Sequence, residues 1–177
     1  MSLIINSSPK NGYSVGVTLA ERFAKSLGET PRMIRIYDDT SGYFNFKFND
    51  AWIDEVIQAK SVIIPVAMWN FGIPAALKDF LDKISQRGKL WDLDKNNQMI
   101  GLLHDRPTYV IMTSGYDYDI GHPNDFIVPY LKTVWASFGV RDVREFRVGG
   151  VERSRALCED ENYLKRTTDA MIKHFGL

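Results

Sequence analysis

Short apolar runs rich in β-branched residues alternate along this chain with longer segments whose apolar residues recur every three or four positions. Such alternation is typical of βαβ units, in which helical crossovers join parallel strands. Strands are predicted over residues 3–7, 32–36, 61–66, 108–113 and 143–148. The third and fourth are apolar enough to be buried on both faces, so we expect them at the centre of one sheet.

Capping residues and helical periodicity predict one helix after each of these strands. Gly28 supplies a left-handed stop for the first helix, and Asp50 is the predicted N-cap of the second. Pro74 suits the start of the third helix, which should stop near Gly88. The remaining two helices are predicted over residues 125–138 and from about 159 to 175.

The length of the chain limits its organisation. With 177 residues, and about 150 residues per domain as a guide, we expect a single domain over residues 1–177. Five strands and five helices in that length predict an α/β, three-layer flavodoxin-like fold, with a five-stranded parallel sheet of order 2-1-3-4-5 and helices on both faces. Ligands bind such sheets beyond the carboxyl ends of the strands. The loops after the first, third and fourth strands are therefore the candidate sites.

Composition argues against several classes of function. Lysine plus arginine and aspartate plus glutamate both number 22, so no net charge attracts the chain to nucleic acid. The lone Cys158 and three histidines offer neither a disulfide framework nor zinc-ligand spacing. Apolar runs such as residues 62–67 are far shorter than the roughly 20 residues that span a membrane. No secretion signal is recognised, so a reducing, cytoplasmic location is expected.

The loop after the first strand reads Ser-Ser-Pro-Lys-Asn-Gly-Tyr-Ser over residues 7–14. It places hydroxyls, backbone N–H groups and the positive end of a helix dipole at one point, which favours a phosphate group. It is neither the phosphate loop of nucleoside triphosphatases nor a Gly-x-Gly-x-x-Gly fingerprint, so a monophosphate ester fits better. The alternative is structural, with Ser14 capping the first helix and Gly12 making the turn.

Apolar residues occupy the loop after the third strand, where solvated polar residues are usual. Met68, Trp69 and Phe71 would form an apolar wall for a flat heteroaromatic ring, and Asn70 could hydrogen-bond its polar edge. These side chains could instead pack under the loop or form a subunit contact. Because Pro74 fixes the start of the next helix, a rigid loop is predicted.

The loop after the fourth strand contains the third candidate group. Tyr116 and Asp117 follow Ser114 and Gly115, and they either shape the pocket over such a ring or form a polar turn. His122 could donate a hydrogen bond to a bound quinone oxygen, or it is a solvated loop histidine. No nucleophile, metal set or catalytic triad is predicted at these strand ends.

The order of these motifs resembles the family of flavodoxin-like FMN-dependent NADH-azoreductases and NAD(P)H:quinone oxidoreductases over most of the chain. The runs that carry the resemblance are Ser7-Ser8 with Gly12-Tyr13-Ser14, Pro65-x-x-Met68-Trp69-Asn70-Phe71-x-Ile73 with Leu77-Lys78-x-Phe80-x-Asp82, and Thr113-Ser114 with Asp125-x-x-x-Pro129-Tyr130-Leu131 and Phe138-Gly139. The resemblance implies that the FMN phosphate is held by Ser8 and the turn Ser14-Val15-Gly16. It implies that the isoalloxazine is flanked by Met68, Trp69, Asn70 and Phe71, and is bordered by Ser114, Gly115, Tyr116 and Asp117.

The resemblance also implies an activity: two electrons pass from NADH or NADPH through FMN to a quinone-like or azo acceptor by a ping-pong mechanism. It implies a homodimer, in which the aromatic run at residues 43–48 or the segment 88–106 of the partner chain completes the pocket. Two departures are visible. The family's Ser-Arg-Gly-Gly is replaced by Ser114-Gly115-Tyr116-Asp117, and Gly16 stands where a serine is frequent. An electron carrier or flavin sensor, and a phosphodiesterase-type hydrolase, are the alternative functions.

Overall fold

The structure, a computed structural model, describes residues 1–9, 13–38 and 47–177, without the side chains of residues 153–155. Its strands are β1 (Ser2–Asn6), β2 (Arg32–Arg35), β3 (Ser61–Ala67), β4 (Trp91–Leu93), β5 (Met99–Gly101), β6 (Thr108–Thr113) and β7 (Val143–Val148). Its helices are α1 (Val15–Ser26), α2 (Asp50–Gln58), α3 (Ala75–Ile84), α4 (Val128–Ser137), α5 (Ser154–Glu159) and α6 (Glu161–Phe175). Short 3-10 turns follow β2 at Ile36–Asp38 and β7 at Val151–Arg153.

Five parallel strands form the central sheet in the order β2-β1-β3-β6-β7. Counted among these five strands alone, the order is 2-1-3-4-5, so the predicted fold class is confirmed. Each predicted strand agrees with the observed one to within one residue at either end. In the register of the two central strands, Ala67 pairs with Thr113. Their carboxyl ends therefore finish side by side, and this edge of the sheet positions the candidate site.

Side chains of β3 alternate between two hydrophobic cores, as expected for a strand covered on both faces. Val62, Ile64 and Val66 pack in the core formed with α2, α3 and α4. Ile63 packs in the second core, where it meets Phe23 of α1 and residues of α6. Helices therefore cover both faces of the sheet, which gives the three layers that the alternating sequence pattern predicts.

The ends of α2 and α3 differ from the prediction because of local capping. Asn49, not Asp50, is the N-cap of α2, and its side-chain oxygen accepts the N–H of Trp52 at 3.1 Å. Both residue types cap helices well, so the sequence alone cannot choose between adjacent candidates. α3 ends at Ile84, and Gly88 lies beyond it in a separate turn with a φ of +79°.

The last two helices also begin later than predicted. α4 starts at Val128 rather than at residue 125, because the Asp125 carboxylate accepts the N–H groups of Ile127 and Val128 from outside the helix. The fifth helix, predicted from about residue 159, corresponds to α6, which starts at Glu161, and the short α5 before it was not predicted. Asp160 separates them, and its carboxylate accepts the N–H of Tyr163 at 3.0 Å as the N-cap of α6.

An antiparallel ribbon of β4 and β5 lies within the segment 88–106 and was not predicted. The Asp94 carboxylate shapes its loop by accepting the N–H groups of Asn96 at 2.7 Å and Gln98 at 2.9 Å. At the other end, a Cβ added to Gly101 would lie 2.0 Å from the backbone nitrogen of Gly139. Glycine at 101 therefore lets the ribbon pack directly on the end of α4.

Two predicted features fall partly or wholly outside the described residues. They are positions 10–12 of the loop after β1 and positions 43–46 of the aromatic run. Across the ranges that the structure does describe, no helix combines the length and the apolar character that a bilayer crossing needs.

Candidate functional site

A cleft of about 220 Å³ opens at the carboxyl edge of the sheet, where β1, β3 and β6 end. Its lining residues are Ser8, Pro9, Tyr13, Ser14, Val15, Ala67, Met68, Trp69, Thr113, Ser114, Gly115 and Val151. This is the position at which doubly wound sheets bind ligands. Polar groups from the loop after β1 lie on one side, and apolar groups from the loop after β3 lie on the other.

The polar side of the cleft is built by the start of α1. Ser14 is the N-cap, and its hydroxyl accepts the N–H of Val17 at 3.4 Å. The structural role considered for Ser14 is therefore real, and it leaves the N–H groups of Val15 and Gly16 in the first turn without intrahelical acceptors. Ser8 also lines the cleft, and its own N–H is donated to the Asn6 side chain at 2.9 Å. These donors at a helix N-terminus can hold an anion.

Gly16 allows α1 to approach the ends of β3 and β6 closely. A Cβ at this position would lie 3.3 Å from Cγ2 of Thr113 and 3.5 Å from Cβ of Pro65. Ser7 belongs to the same close-packed region, and its hydroxyl donates to the carbonyl of Pro65 at 3.4 Å. A serine at position 16 would crowd Thr113, so the departure at Gly16 fits the local packing of this chain.

The apolar side of the cleft ends in a tight turn. Trp69 and Gly72 exchange two backbone hydrogen bonds of 3.0 and 2.9 Å, and the two residues between them have positive φ angles, +47° for Asn70 and +67° for Phe71. This is the pattern of a type I′ turn, in which both central residues are left-handed. Asparagine tolerates that conformation, whereas phenylalanine rarely adopts it. Met68 and Trp69 line the cleft, while Asn70 and Phe71 form the tip of the turn beyond it.

The loop after β6 leaves the cleft after its first residues. Ser114 and Gly115 line the cleft, and the Ser114 hydroxyl donates to the carbonyl of Tyr116 at 2.7 Å. Tyr116 is 72% exposed and is not a lining residue. Asp117 is seated against Gly149, where an added Cβ would lie 1.9 Å from Asp117 Oδ1. Asp117 therefore borders a second hollow on the far side of the loop.

A buried ion cluster holds this loop against β7. The guanidinium of Arg147 donates from Nη2 to Asp125 Oδ2 at 2.6 Å and to Glu145 Oε2 at 2.5 Å. Its Nη1 donates to the carbonyls of Tyr118 at 3.3 Å and Asp119 at 3.1 Å. One side chain from the edge strand thus binds the loop at two separate places.

Two members of this cluster, Asp125 and Arg147, have pKa values shifted away from neutral pH. Burial alone would raise the pKa of the Asp125 carboxyl, but hydrogen bonds from Arg147 and from the N–H groups of Val128 and Ile127 outweigh it and lower that pKa. Burial would likewise lower the pKa of the Arg147 guanidinium, and its hydrogen bonds to Asp125 and Glu145 raise that pKa instead. Neither group is poised to exchange a proton near pH 7, so the cluster is suited to fixing geometry.

The structure brings together most of the predicted site residues. Those that line the cleft are Ser8, Ser14, Val15, Met68, Trp69, Ser114 and Gly115, and Gly16 lines a small adjoining hollow. Those that do not line it are Asn70, Phe71, Tyr116 and Asp117. His122 is absent from the lining too, and its Nδ1 accepts the N–H of Asn124 at 3.2 Å.

Sequence reasoning missed the contribution of the loop after β7. Val151 lines the cleft and donates its N–H to the carbonyl of Ser114 at 3.1 Å. The signal was present, because the carboxyl end of a fifth parallel strand lies at the same edge of the sheet as the other four. Tyr13 and Thr113 were also missed as lining residues, although both belong to runs that carried the resemblance.

The donor set of the cleft fits a flavin mononucleotide. Hydroxyls of Ser8 and Ser14 and the first N–H groups of α1 suit a phosphate, because they combine donors with the positive end of a helix dipole. Met68 and Trp69 suit a flat aromatic ring, and Trp69 is 53% exposed. The cleft therefore offers matched surfaces for both ends of that molecule.

Comparison with known proteins gives the lineage of the chain. The family model described as flavodoxin-like fold matches residues 2–168. The chain belongs to the flavodoxin-like fold family. This flavodoxin-like chain is 40% identical over 94 residues to FMN-dependent NADH:quinone oxidoreductase 1 of Bradyrhizobium diazoefficiens, covering 51% of the chain and 45% of that protein. It is 29% identical over 106 residues to FMN-dependent NADH:quinone oxidoreductase 2 of Hahella chejuensis, covering 59% and 52%. The matched part thus spans about half the length of these curated relatives.

Solved structures resemble the flavodoxin-like chain along nearly its whole length. An FMN-dependent NADH-azoreductase from Bacillus anthracis str. Ames Ancestor, solved in complex with FMN, superposes with a TM-score of 0.71 at 25% identity and covers 96% of both chains. An azoreductase from Bacillus anthracis str. Sterne has a TM-score of 0.75, covers 97% of this chain and 96% of its own, and at 18% identity shows the fold alone.

Proposed function

We propose that the chain is an FMN-dependent oxidoreductase that passes two electrons from NADH or NADPH to a quinone-like or azo acceptor. The observation that carries the proposal is the two-sided cleft, with anion donors at the N-terminus of α1 and an apolar wall at Met68 and Trp69. Support comes from the azoreductase that was solved with FMN and aligns over 96% of both chains. FMN, when bound, supplies the two-electron chemistry, so no protein nucleophile is required.

Residues of the chain bind and orient in this proposal. Ser8, Ser14 and the first N–H groups of α1 bind the phosphate. Met68 and Trp69 cover one part of the ring and exclude water from it. Ser114 and Gly115 border the ring on the β6 side, where the absence of a side chain at Gly115 allows the backbone to approach the ring closely.

The donor and the acceptor bind in turn at the same open side of the cleft, which makes the kinetics ping-pong. We also propose that the chain forms a homodimer, because large apolar side chains remain exposed beside the cleft, among them Trp69 and Phe71. The acceptor class is proposed from the names of the relatives.

Flavin retention and reduction test the proposal directly. The purified protein is mixed with FMN, freed of excess flavin, and its visible spectrum is recorded before and after anaerobic addition of NADH or NADPH. We expect retained FMN that bleaches on addition of either nucleotide and recovers its colour with 1,4-benzoquinone. Retained flavin that stays oxidised would favour a carrier or sensor instead. Protein that retains no flavin would exclude the proposed function and favour the hydrolase.

Two charge variants test where the phosphate of FMN binds. Ser8→Asp places a carboxylate among the proposed phosphate donors, so repulsion should abolish FMN retention. Asn162→Asp adds the same charge to the exposed surface of α6, outside the cleft, and should retain FMN like the unmodified chain. Equal retention by both variants would show that the phosphate binds elsewhere.

A further inference from the structure

One arginine connects the edge strand β7 with two separate parts of the loop after β6. Arg147 lies on the edge strand β7 with only 12% of its side chain exposed, and its guanidinium bonds Asp125, Glu145 and the carbonyls of residues 118 and 119. The contacts with residues 118, 119 and 125 lie within the loop of residues 115–126, which begins in the cleft at Gly115. Both halves of this loop are therefore attached to a single rigid side chain.

The attachment continues to the turn at the other side of the cleft. Asp125 caps α4 through the N–H groups of Ile127 and Val128, and the neighbouring Phe126 donates its N–H to the carbonyl of Phe71 at 3.3 Å. Phe71 belongs to the turn that follows Trp69. The loop after β6 and the turn after β3 are thus joined by a hydrogen bond, and Arg147 is bonded to the neighbouring residue Asp125.

Stability alone does not explain a buried ion cluster at this place. Burying a guanidinium and two carboxylates carries a large desolvation cost, and apolar residues of similar volume would often fill such a space equally well. The charged cluster instead fixes the position of the loop. The planar guanidinium donates in fixed directions, so its partners must take one particular arrangement. Glycine at 149, which alone leaves room for Asp117, restricts the loop further.

The loop held in this way displays an aromatic side chain next to the cleft. Tyr116 follows the lining residue Gly115 and is 72% exposed. The ion cluster holds this aromatic surface beside the open cleft. Such a surface is suited to a flat, largely apolar ligand that binds after FMN has filled the cleft.

We propose that Arg147 is a positioning residue, whose guanidinium fixes the 115–126 loop as the outer wall against which the electron donor and the acceptor bind. This proposal rests on the proposed function. It assigns to Arg147 an effect on the second ligand rather than on FMN, because none of the four groups that it bonds lines the proposed FMN cleft.

A conservative substitution tests the proposal. Arg147→Lys keeps the positive charge in the buried cluster but replaces a five-donor fork with a single ammonium group, which cannot bond both halves of the loop at once. The matched control is Arg144→Lys on the same strand. Arg144 makes a two-point pair with Asp142, at 2.8 Å for each bond, and does not contact the loop.

The first measurement needs neither flavin nor activity. Amide hydrogen exchange of the flavin-free protein should become about tenfold faster or more across residues 115–127 in Arg147→Lys, with the core strands unchanged, because the loop opens more often. Arg144→Lys should leave exchange in that segment as it is in the unmodified chain. Unchanged exchange in Arg147→Lys would overturn the proposal.

The second measurement separates positioning from a merely structural role. In Arg147→Lys the KM for NADH and for 1,4-benzoquinone should rise about tenfold, while kcat and the dissociation constant of FMN stay within about twofold. Asp125→Asn, which keeps the helix cap but loses the charged partner, should show the same split to a smaller degree. A rise in the FMN dissociation constant with unchanged KM would overturn the proposal while the proposed function stands. Failure of the unmodified protein to retain FMN would instead overturn the proposed function, and this proposal with it.

Discussion

At the scale of the residue, Phe71 shows strain where function is proposed. Its φ of +67° lies in the left-handed region, which costs an ordinary residue about 1–2 kcal/mol. The two hydrogen bonds between Trp69 and Gly72 and the bond from Phe126 hold it there. Strained backbone of this kind is concentrated at functional sites, and the position beside the apolar wall of the cleft agrees with that tendency.

Two variants at this position measure the strain. Phe71→Gly and Phe71→Ala both remove the ring, but only glycine adopts a positive φ without steric cost. We expect the glycine variant to unfold in urea with a free energy about 1 kcal/mol higher than the alanine variant, the reverse of the order at an ordinary position. A more stable alanine variant would mean that residue 71 is not left-handed. The difference between the two variants is informative because the loss of the ring is common to both.

Residue types and their place in the chain predicted most of the cleft lining, since parallel strands bring their carboxyl ends to one edge. Asn70 and Asp117 show where that reasoning stops. Asn70 lies at the tip of a turn whose closure depends on a hydrogen-bonded pair at Trp69 and Gly72, and Asp117 is seated on Gly149, which is distant in sequence. The contact of Asp117 with Gly149 is decided by tertiary packing, which no local pattern reports, and a left-handed phenylalanine after Asn70 is not what residue type predicts.

At the scale of the element, long periodic segments were predictable and short ones were not. The strands of the central sheet are four to seven residues long and alternate with long periodic helices, so their pattern was sufficient. The strands of the β4–β5 ribbon have three residues each. The ribbon is stabilised by contact with the end of α4 at Gly101 and Gly139, and that contact joins positions 38 apart in the chain (139 − 101).

Arg106 should decide the stability of the end of α2. Its Nη1 donates to the carbonyls of Val56 and Ile57 at 3.0 Å each and to Ala59 at 2.5 Å, and these carbonyls lack partners within the helix. Arg106 is only 9% exposed, and the carbonyls carry the negative end of the helix dipole.

We expect Arg106→Met to lower the free energy of unfolding by about 2–4 kcal/mol, because several buried carbonyls lose their donor at once. Arg106→Lys should recover part of the loss, since one ammonium can still bond the carbonyls. Chemical denaturation measures both variants. Lys89→Ala, which removes an exposed pair with Asp50 at the opposite end of α2, serves as the control and should leave the midpoint unchanged. Equal effects of Arg106→Met and Lys89→Ala would refute the capping role.

At the scale of the whole molecule, three exposed aromatic side chains form a patch next to the cleft. Trp69, Phe71 and Phe126 are each between 49% and 63% exposed, and the N–H of Phe126 is bonded to the carbonyl of Phe71. Large apolar patches on a folded chain mark interaction sites. The patch continues from the apolar wall of the cleft, so a second chain seated on it would also cover the bound flavin.

Light scattering after size-exclusion chromatography tests the proposed homodimer. We expect a molar mass of twice the 20.3 kDa of one chain, because burying this apolar patch against its copy removes it from water. Phe126→Lys places a charge in the patch and should yield the single-chain mass together with weaker FMN retention. Ile57→Lys adds the same charge on α2 at a side chain that is 40% exposed, and should remain dimeric.

A single-chain mass for the unmodified protein at tens of micromolar would refute the homodimer. Full FMN retention by a monomeric Phe126→Lys would show instead that one chain forms the complete flavin site.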